Sequence, residues 1–356
     1  SSAPIQYFFK RYSTATDLIN VDIGGGTTDI AFAKDKNISH VTSFRFASNT
    51  LFENSFSELD EDNGIVDWHK NEILKLLEEK NLMDLIRVFN SPNNTKPANM
   101  ASFLFGLKDN TIPQRAGVNV KAIDFNYILQ EDEDFKIVFI IFYTAIVYHI
   151  AQIVKSLNLE VPRHISFSGN GSKVIRVITT DSKLLARYTK MVFEKLLGKP
   201  YGKELDLLGL EKDSNPKEST CKGGIIGTED EDNRDKTIVF KSDCTGLVTP
   251  KDTYANIKDD YKRRTVTAVE DFFKFVLVDM NSAFNFDKNF GVKPSSIRIA
   301  QEMAKKDLLT FLEKGISQRC EETEAEDMIE ETFFYYPIKG VLNAISAEIY
   351  NELQQS

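Results

Sequence analysis

The chain has 356 residues, 42% hydrophobic and 27% charged, with a formal net charge of -9. That length allows two or three domains, and the acidic balance argues against nucleic-acid binding and against docking on an anionic membrane. Cys221, Cys244 and Cys320 are widely spaced, so they offer neither a disulfide framework nor a metal spacing and fit a reducing, cytoplasmic setting.

Ser1-Ser2-Ala3-Pro4 has no signal-peptide character and reads either as an expression scar or as the cut end of a longer chain. The apolar run Leu18 to Ile23 predicts a buried strand, interrupted by the polar Asn20 and Asp22. Gly24-Gly25-Gly26-Thr27 then turns the chain into a second strand, Asp29 to Ala33, and Lys34 to Asn37 turn it into a third, Ile38 to Phe46. Ser48 or Asn49 is placed to cap a helix running through Phe56. Asp60-Glu61-Asp62-Asn63-Gly64 reads as a loop, and its acids lack the spacing of a calcium loop.

Apolar residues recur at helical intervals over Trp68 to Phe89. Ser91 to Pro97 is a polar break, followed by a short helix from Met100 to Leu107. Phe125 to Leu157 predicts a long helical stretch carrying the apolar run Ile137 to Val154, which is long enough to span a bilayer. His149 and Gln152 within that run, and the acids Glu131 to Asp134 before it, favour a buried core helix over a membrane span. A short strand, Arg163 to Ser168, leads into a second glycine turn, Gly169-Asn170-Gly171-Ser172-Lys173. Helix continues from Val174 to Ile178 and from Asp181 to Leu197, then a short strand from Leu205 to Leu210. Asn215-Pro216-Lys217-Glu218 starts another helix, ending near Gly223-Gly224. Beyond the charged joint Thr228 to Lys236, a strand from Thr237 to Phe240 precedes helical periods over Tyr254 to Phe286, Ser295 to Arg319 and Ala325 to Leu353. The acid-rich run Glu321 to Glu331 reads as a solvated helix end. No internal repeat is evident.

Two of these turns carry chemistry. Glycines at a strand end let backbone N–H groups approach a phosphate, because no β-carbon stands in the way. The Thr27 and Thr28 hydroxyls add donors, and Asp22 or Asp29 suits a hydrated divalent cation. The same residues would also serve a plain hairpin. At the second turn, small residues let a flat ring lie on the backbone, and Lys173 is placed to cover it or to reach a phosphate. His40, His69, His149 and His164 have no ligand spacing, and no nucleophile triad stands out.

The ordered set resembles the actin-like ATPase superfamily, which includes actin, the seventy-kilodalton heat-shock chaperones, sugar kinases and bacterial actin homologues. Asp22-Ile23-Gly24-Gly25-Gly26-Thr27-Thr28-Asp29 is similar to its second phosphate motif, Phe167 to Lys173 to its adenosine motif, and Asn215 to Gly224 to the helix after it. The resemblance covers about Leu18 to Ile226. It implies a ribonuclease H-like α/β lobe with a mixed sheet and helices on both faces. It implies Mg²⁺ held by Asp22 through water, and ATP phosphates met by Gly24, Gly25, Gly26 and Thr27, with Thr28 and Asp29 close by. Gly169, Asn170, Gly171 and Lys173 would line the adenosine.

On that basis residues 1–58 and 130–226 form the lobe, 59–129 a mostly helical insertion, and 227–356 a mostly helical region open to protein partners. The family's first phosphate hairpin is missing upstream of Asp22, and its nearest imitation, Ser242-Asp243-Cys244-Thr245-Gly246, lies on the wrong side. The chain is therefore expected to be the second half of a longer protein, with the water-activating groups in the other half. The leading expectation is ATP binding coupled to a conformational change. A scaffold that keeps the fold without turnover, and a small-metabolite kinase, are the alternatives.

Overall fold

The computed structural model describes residues 3–12, 17–35, 37–53, 63–211, 221–222, 237–238, 253–324, 326–329 and 331–355. The helix expected from Asn215, the loop Asp60 to Asp62, the imitation hairpin Ser242 to Gly246 and Cys244 lie outside these residues.

The protein belongs to the α/β class, built on a mixed sheet. Strands β1 (Leu18–Ile23), β2 (Thr28–Lys34) and β3 (Asn37–Phe44) form an antiparallel meander. Strands β4 (His164–Ser168) and β5 (Asp206–Leu208) add to the free side of β1, each parallel to its neighbour, and β6 (Thr237–Ile238) lies parallel to β3. The order across the sheet is therefore β5-β4-β1-β2-β3-β6. The carboxyl ends of β1, β3 and β4 consequently share one edge, the edge at which both glycine turns leave the sheet.

Alternation along β1 divides the sheet into two faces. Ile19, Val21 and Ile23 join Ile30, Phe32 and Phe44 on a face that packs into the main core. Leu18, with Ala31 and Ala33, meets Ile5, Phe8 and Phe9 of helix α1 (Ala3–Arg11) on the other.

Helix α2 (Asn49–Phe52) comes after the meander, so the helix beginning near Ser48 is one turn long where described. Ser48 is at its N-cap position but makes no capping bond. Between the meander and β4 come α3 (Gly64–Glu79), α4 (Met83–Phe89), α5 (Pro97–Gly106), α6 (Thr111–Arg115), α7 (Phe125–Glu131) and α8 (Lys136–Ser156). The single helix expected from Trp68 to Phe89 is two helices, starting earlier, at Gly64. Asn81, at φ 53°, breaks the ladder between them in the left-handed region that asparagine tolerates. The stretch expected from Phe125 to Leu157 is divided as well. Asp132 ends α7, and its side chain accepts hydrogen bonds from the backbone N–H groups of Asp134 (2.8 Å) and Phe135 (3.1 Å) in the turn that separates α7 from α8. Helix α8 is the one described helix long and apolar enough to cross a membrane, and 94% of its apolar window is buried inside the protein. It lies in the core.

Helix α9 (Ser182–Leu197) connects β4 to β5, capped by Asp181 and ended by Gly198. It is tied to α8 by two buried pairs, Tyr143 to Thr189 and Thr144 to Tyr188, both at 2.6 Å. The C-terminal helices are α10 (Asp259–Lys274), α11 (Asn281–Phe284), α12 (Phe286–Phe290), α13 (Pro294–Met303), α14 (Leu308–Glu322) and α15 (Tyr335–Gln355). The helical period expected over Tyr254 to Phe286 is interrupted, because Phe275 to Met280 form a π-helical turn after α10. Tyr335 of α15 stacks on both Phe44 and Phe46, with ring centroids 4.4 and 4.6 Å apart, and carries the C-terminal helices onto the sheet. The acidic run after α14 is not wholly solvated. The side chain of Glu331 is only 10% exposed and takes hydrogen bonds from Arg319 Nε (2.7 Å) and Tyr254 Oη (2.8 Å).

Candidate nucleotide-binding site

Parallel pairing of β1 with β4 sets Asp22 beside Ser168 and so brings the two glycine turns together. The approach is close. A β-carbon on Gly171 would lie 2.3 Å from the Gly24 carbonyl, and one on Gly169 2.3 Å from the Ile23 carbonyl. Gly169 also has φ 76°, a conformation that L side chains rarely adopt. These two glycines are thus explained by the fold itself, as the contact on which the turns are built.

The first turn is a tight hairpin closed by the Gly24 N–H donating to the Thr27 carbonyl at 2.9 Å. Its carbonyls are drawn to one side. The Gly24 carbonyl accepts from the Ser48 N–H (3.3 Å) and hydroxyl (2.9 Å), and the Gly25 carbonyl accepts from the Asn49 N–H (2.9 Å). The N–H groups of Gly25, Gly26 and Thr27 donate to no group among the described residues. Successive unpaired N–H groups in a turn make a concave anion-binding surface. Gly26 has no neighbour within 4 Å of a built β-carbon and no positive φ, so nothing within the described fold requires a glycine there.

Thr28 does not face this turn. It is fully buried, and its hydroxyl donates to the Phe46 carbonyl at 2.6 Å. Thr27 is exposed at the tip.

Asp22 and Asp29 are directly opposite each other in the antiparallel register. Like charges so placed repel. Burial raises the Asp22 carboxyl above its ordinary value, the charge of Asp29 adds to this, and a hydrogen bond with Ser168 opposes it. Asp29 accepts from the Ser43 hydroxyl at 2.6 Å. Behind Asp22, Ser166 donates to Asn20 at 2.9 Å, and Asn20 donates to Ser168 at 3.4 Å. A divalent cation would relieve the repulsion between the two carboxylates, and water would complete its oxygen shell. Among the described residues no cluster of three or more metal-ligating side chains occurs.

A cleft of about 360 Å³ opens beside the turns. Gly25, Asn170, Gly171 and Lys173 line one wall; Ala98, Ala101, Ser102 and Phe105 of α5 line the other, with Lys108 and Asn126 near its rim. Asn170 and Lys173 are exposed to it. Of the residues singled out in the sequence, the fold therefore gathers Asp22, Gly24, Gly25, Gly26, Thr27, Asp29, Gly169, Asn170, Gly171 and Lys173 in one region and turns Thr28 away. Sequence reasoning missed Ser48 and Asn49, which hold the hairpin carbonyls and were legible only as helix-cap types. It also missed Lys108 and Asn126, which no local pattern marks.

The histidines take structural places. His69 Nε2 is 3.1 Å from Asp132 Oδ2 in the core, His164 lies 3.8 Å from Asp206, and His40 meets the Ser39 hydroxyl at 2.9 Å. His149 packs edge-on to Phe44. Cys221 and Cys320 are free and exposed.

No protein-family model matches the chain, and no curated protein matches it. Among solved structures, it is similar to the ethanolamine utilization protein EutJ from Carboxydothermus hydrogenoformans, at 15% identity and a TM-score of 0.25. The match covers 62% of this chain and spans about half (52%) of that one. A likeness at that level carries no functional weight; strand order and the geometry of the turns do.

Proposed function

We propose that the protein binds a nucleoside triphosphate, with ATP as the expected nucleotide and Mg²⁺ as its counter-ion, in the manner of an actin-like ATPase lobe. The observation that carries this reading is the contact between the two glycine turns at the carboxyl ends of adjacent parallel strands. In open α/β sheets that edge is where ligands bind. The unpaired N–H groups of Gly25, Gly26 and Thr27 supply donors for the β- and γ-phosphates. Asp22, opposed by Asp29, supplies the charge for a hydrated Mg²⁺, which would neutralise part of the phosphate charge when bound. The cleft then takes the nucleoside. Ala98, Ala101 and Ser102 leave room for a flat ring, Phe105 offers a stacking face, and Lys173 closes over it from the opposite wall.

Binding across this cleft would fix α5 against the glycine turns, and that is the conformational coupling we propose. The residues gathered here bind and orient; turnover is a separate property. Nucleotide affinity measured with Mg²⁺ and with EDTA tests the reading, using wild type and Asp22→Ala. Wild type should bind more tightly with Mg²⁺, and Asp22→Ala should lose that gain. Equal affinities for the two proteins in Mg²⁺ would remove the metal role of Asp22 and favour a scaffold that does not use nucleotide.

A further inference from the structure

Away from the glycine turns, α14 and α15 cross at very close range. A β-carbon on Gly315 would lie 2.6 Å from the Tyr336 ring, so Gly315 has to be small for these helices to meet. Beside that contact is a cavity of about 90 Å³, lined by Arg45, Gly315, Gln318, Arg319, Glu322, Tyr336 and Lys339. It has room for roughly three waters, the scale of a small oxyanion and far too little for a nucleoside. None of its lining residues lines the nucleotide cleft.

Three cations converge there against one carboxylate of the lining. Glu322 bridges Arg45 at 2.7 Å and Arg319 at 3.1 Å. Arg319 is also held from behind by the Glu331 carboxylate at 2.7 Å. Lys339 differs from both arginines. It is mostly buried, makes no ion pair within 4 Å and no hydrogen bond with the described residues, and lies 5.9 Å from the face of Tyr336, with Glu331, Glu53 and Glu322 acting on it only at longer range. Burial pushes its ammonium down to about 8, and the charge of Arg45 pushes the same way, against the pull of Glu331, Glu53 and Glu322. A buried ammonium without a hydrogen-bond acceptor is costly, and an oxyanion in the cavity would give Lys339 one while accepting from the outer N–H groups of Arg45.

We propose that Arg45, Arg319 and Lys339 form a second anion site, taking inorganic phosphate or the phosphoryl end of a small molecule. The site stands independently of the nucleotide reading. Arg45 directly follows β3, and Arg319 and Lys339 come from α14 and α15, so an occupant ties the sheet edge to the C-terminal helices.

The test is thermal unfolding of the full chain in rising phosphate, against chloride at matched ionic strength, with phenyl phosphate as a second probe. Wild type should show a saturable upward shift in Tm. Lys339→Met and Arg45→Gln should weaken the apparent affinity at least tenfold, and Lys339→Arg should retain it. Lys339→Met and Arg45→Gln leave every residue of the glycine turn in place, so a loss in these variants separates this site from that turn. A response to phenyl phosphate that is also lost in Lys339→Met would assign the site to phosphoryl groups of larger molecules; a response to inorganic phosphate alone would assign it to the free ion. If Lys339→Met folds, by circular dichroism, and responds as wild type does, the proposal fails. It also fails if wild type shows no saturable shift. Should Lys339→Met not fold, Arg45→Gln carries the same comparison.

Discussion

A β-carbon on Gly169 would lie 2.5 Å from Oδ1 of Asp22. The second glycine turn is therefore the packing partner of the carboxylate that begins the first. Glycine at 169 serves the fold, whereas Gly26, open to solvent, has no such internal reason.

Two alanine substitutions should separate these roles. Gly169→Ala should cost roughly 2–4 kcal/mol, from left-handed strain plus overlap with the Ile23 carbonyl. Gly26→Ala should change stability by no more than about 0.5 kcal/mol yet weaken Mg²⁺-nucleotide binding about tenfold, or ~1.4 kcal/mol. Denaturant unfolding and titration calorimetry on both variants check the pair. A strongly destabilised Gly26→Ala would contradict the assignment.

Thr28 should prove structural. Thr28→Val leaves the buried Phe46 carbonyl without its donor and should cost about 1–3 kcal/mol. Nucleotide affinity should stay at the wild-type value, since this hydroxyl faces away from the turn. A selective loss of affinity with unchanged stability would place Thr28 on the phosphates instead.

The core pair His69–Asp132 predicts a pH dependence. Burial would raise the Asp132 carboxyl, but His69 and the N–H groups of Phe135 and Asp134 outweigh it and hold the carboxyl below its ordinary value. A depressed folded-state value means stabilisation that is fully present above the unfolded value, near 3.9, and lost as pH falls through the folded one. At neutral pH, Asp132→Asn should cost about 1.5–3 kcal/mol, the scale of hydrogen bonds to a charged group. Unfolding measured from pH 7 downward should show that difference shrinking once the pH falls below about 4.

Much of this site was written locally. Val21 to Asp29 encodes a strand, a tight turn and a strand, because glycine and alternation are short-range signals. The second turn at Gly169 was legible in the same way. Other features depend on distant partners. Ser48 looks like a helix cap, yet its hydroxyl goes to the Gly24 carbonyl, a choice made by the fold. Asn81 ends α3 although the apolar period runs through it. The acids near Glu331 look solvated until Arg319 and Tyr254 reach them. The π-helical turn at Phe275 to Met280 is far more apolar than the charged helix before it, but an apolar run suits an α-turn equally well, and no periodicity marks the change.

Amide resonances of the first turn give the sharpest test of nucleotide binding there. With ¹⁵N-labelled protein, adding Mg²⁺-ATP should shift the N–H signals of Gly25, Gly26 and Thr27, along with those of Asn170 and Lys173, while that of Thr28 moves little. Nucleotide binding that leaves the Gly25 to Thr27 amides unmoved, or no binding at millimolar Mg²⁺-ATP, would rule out the glycine turn as the phosphate cradle.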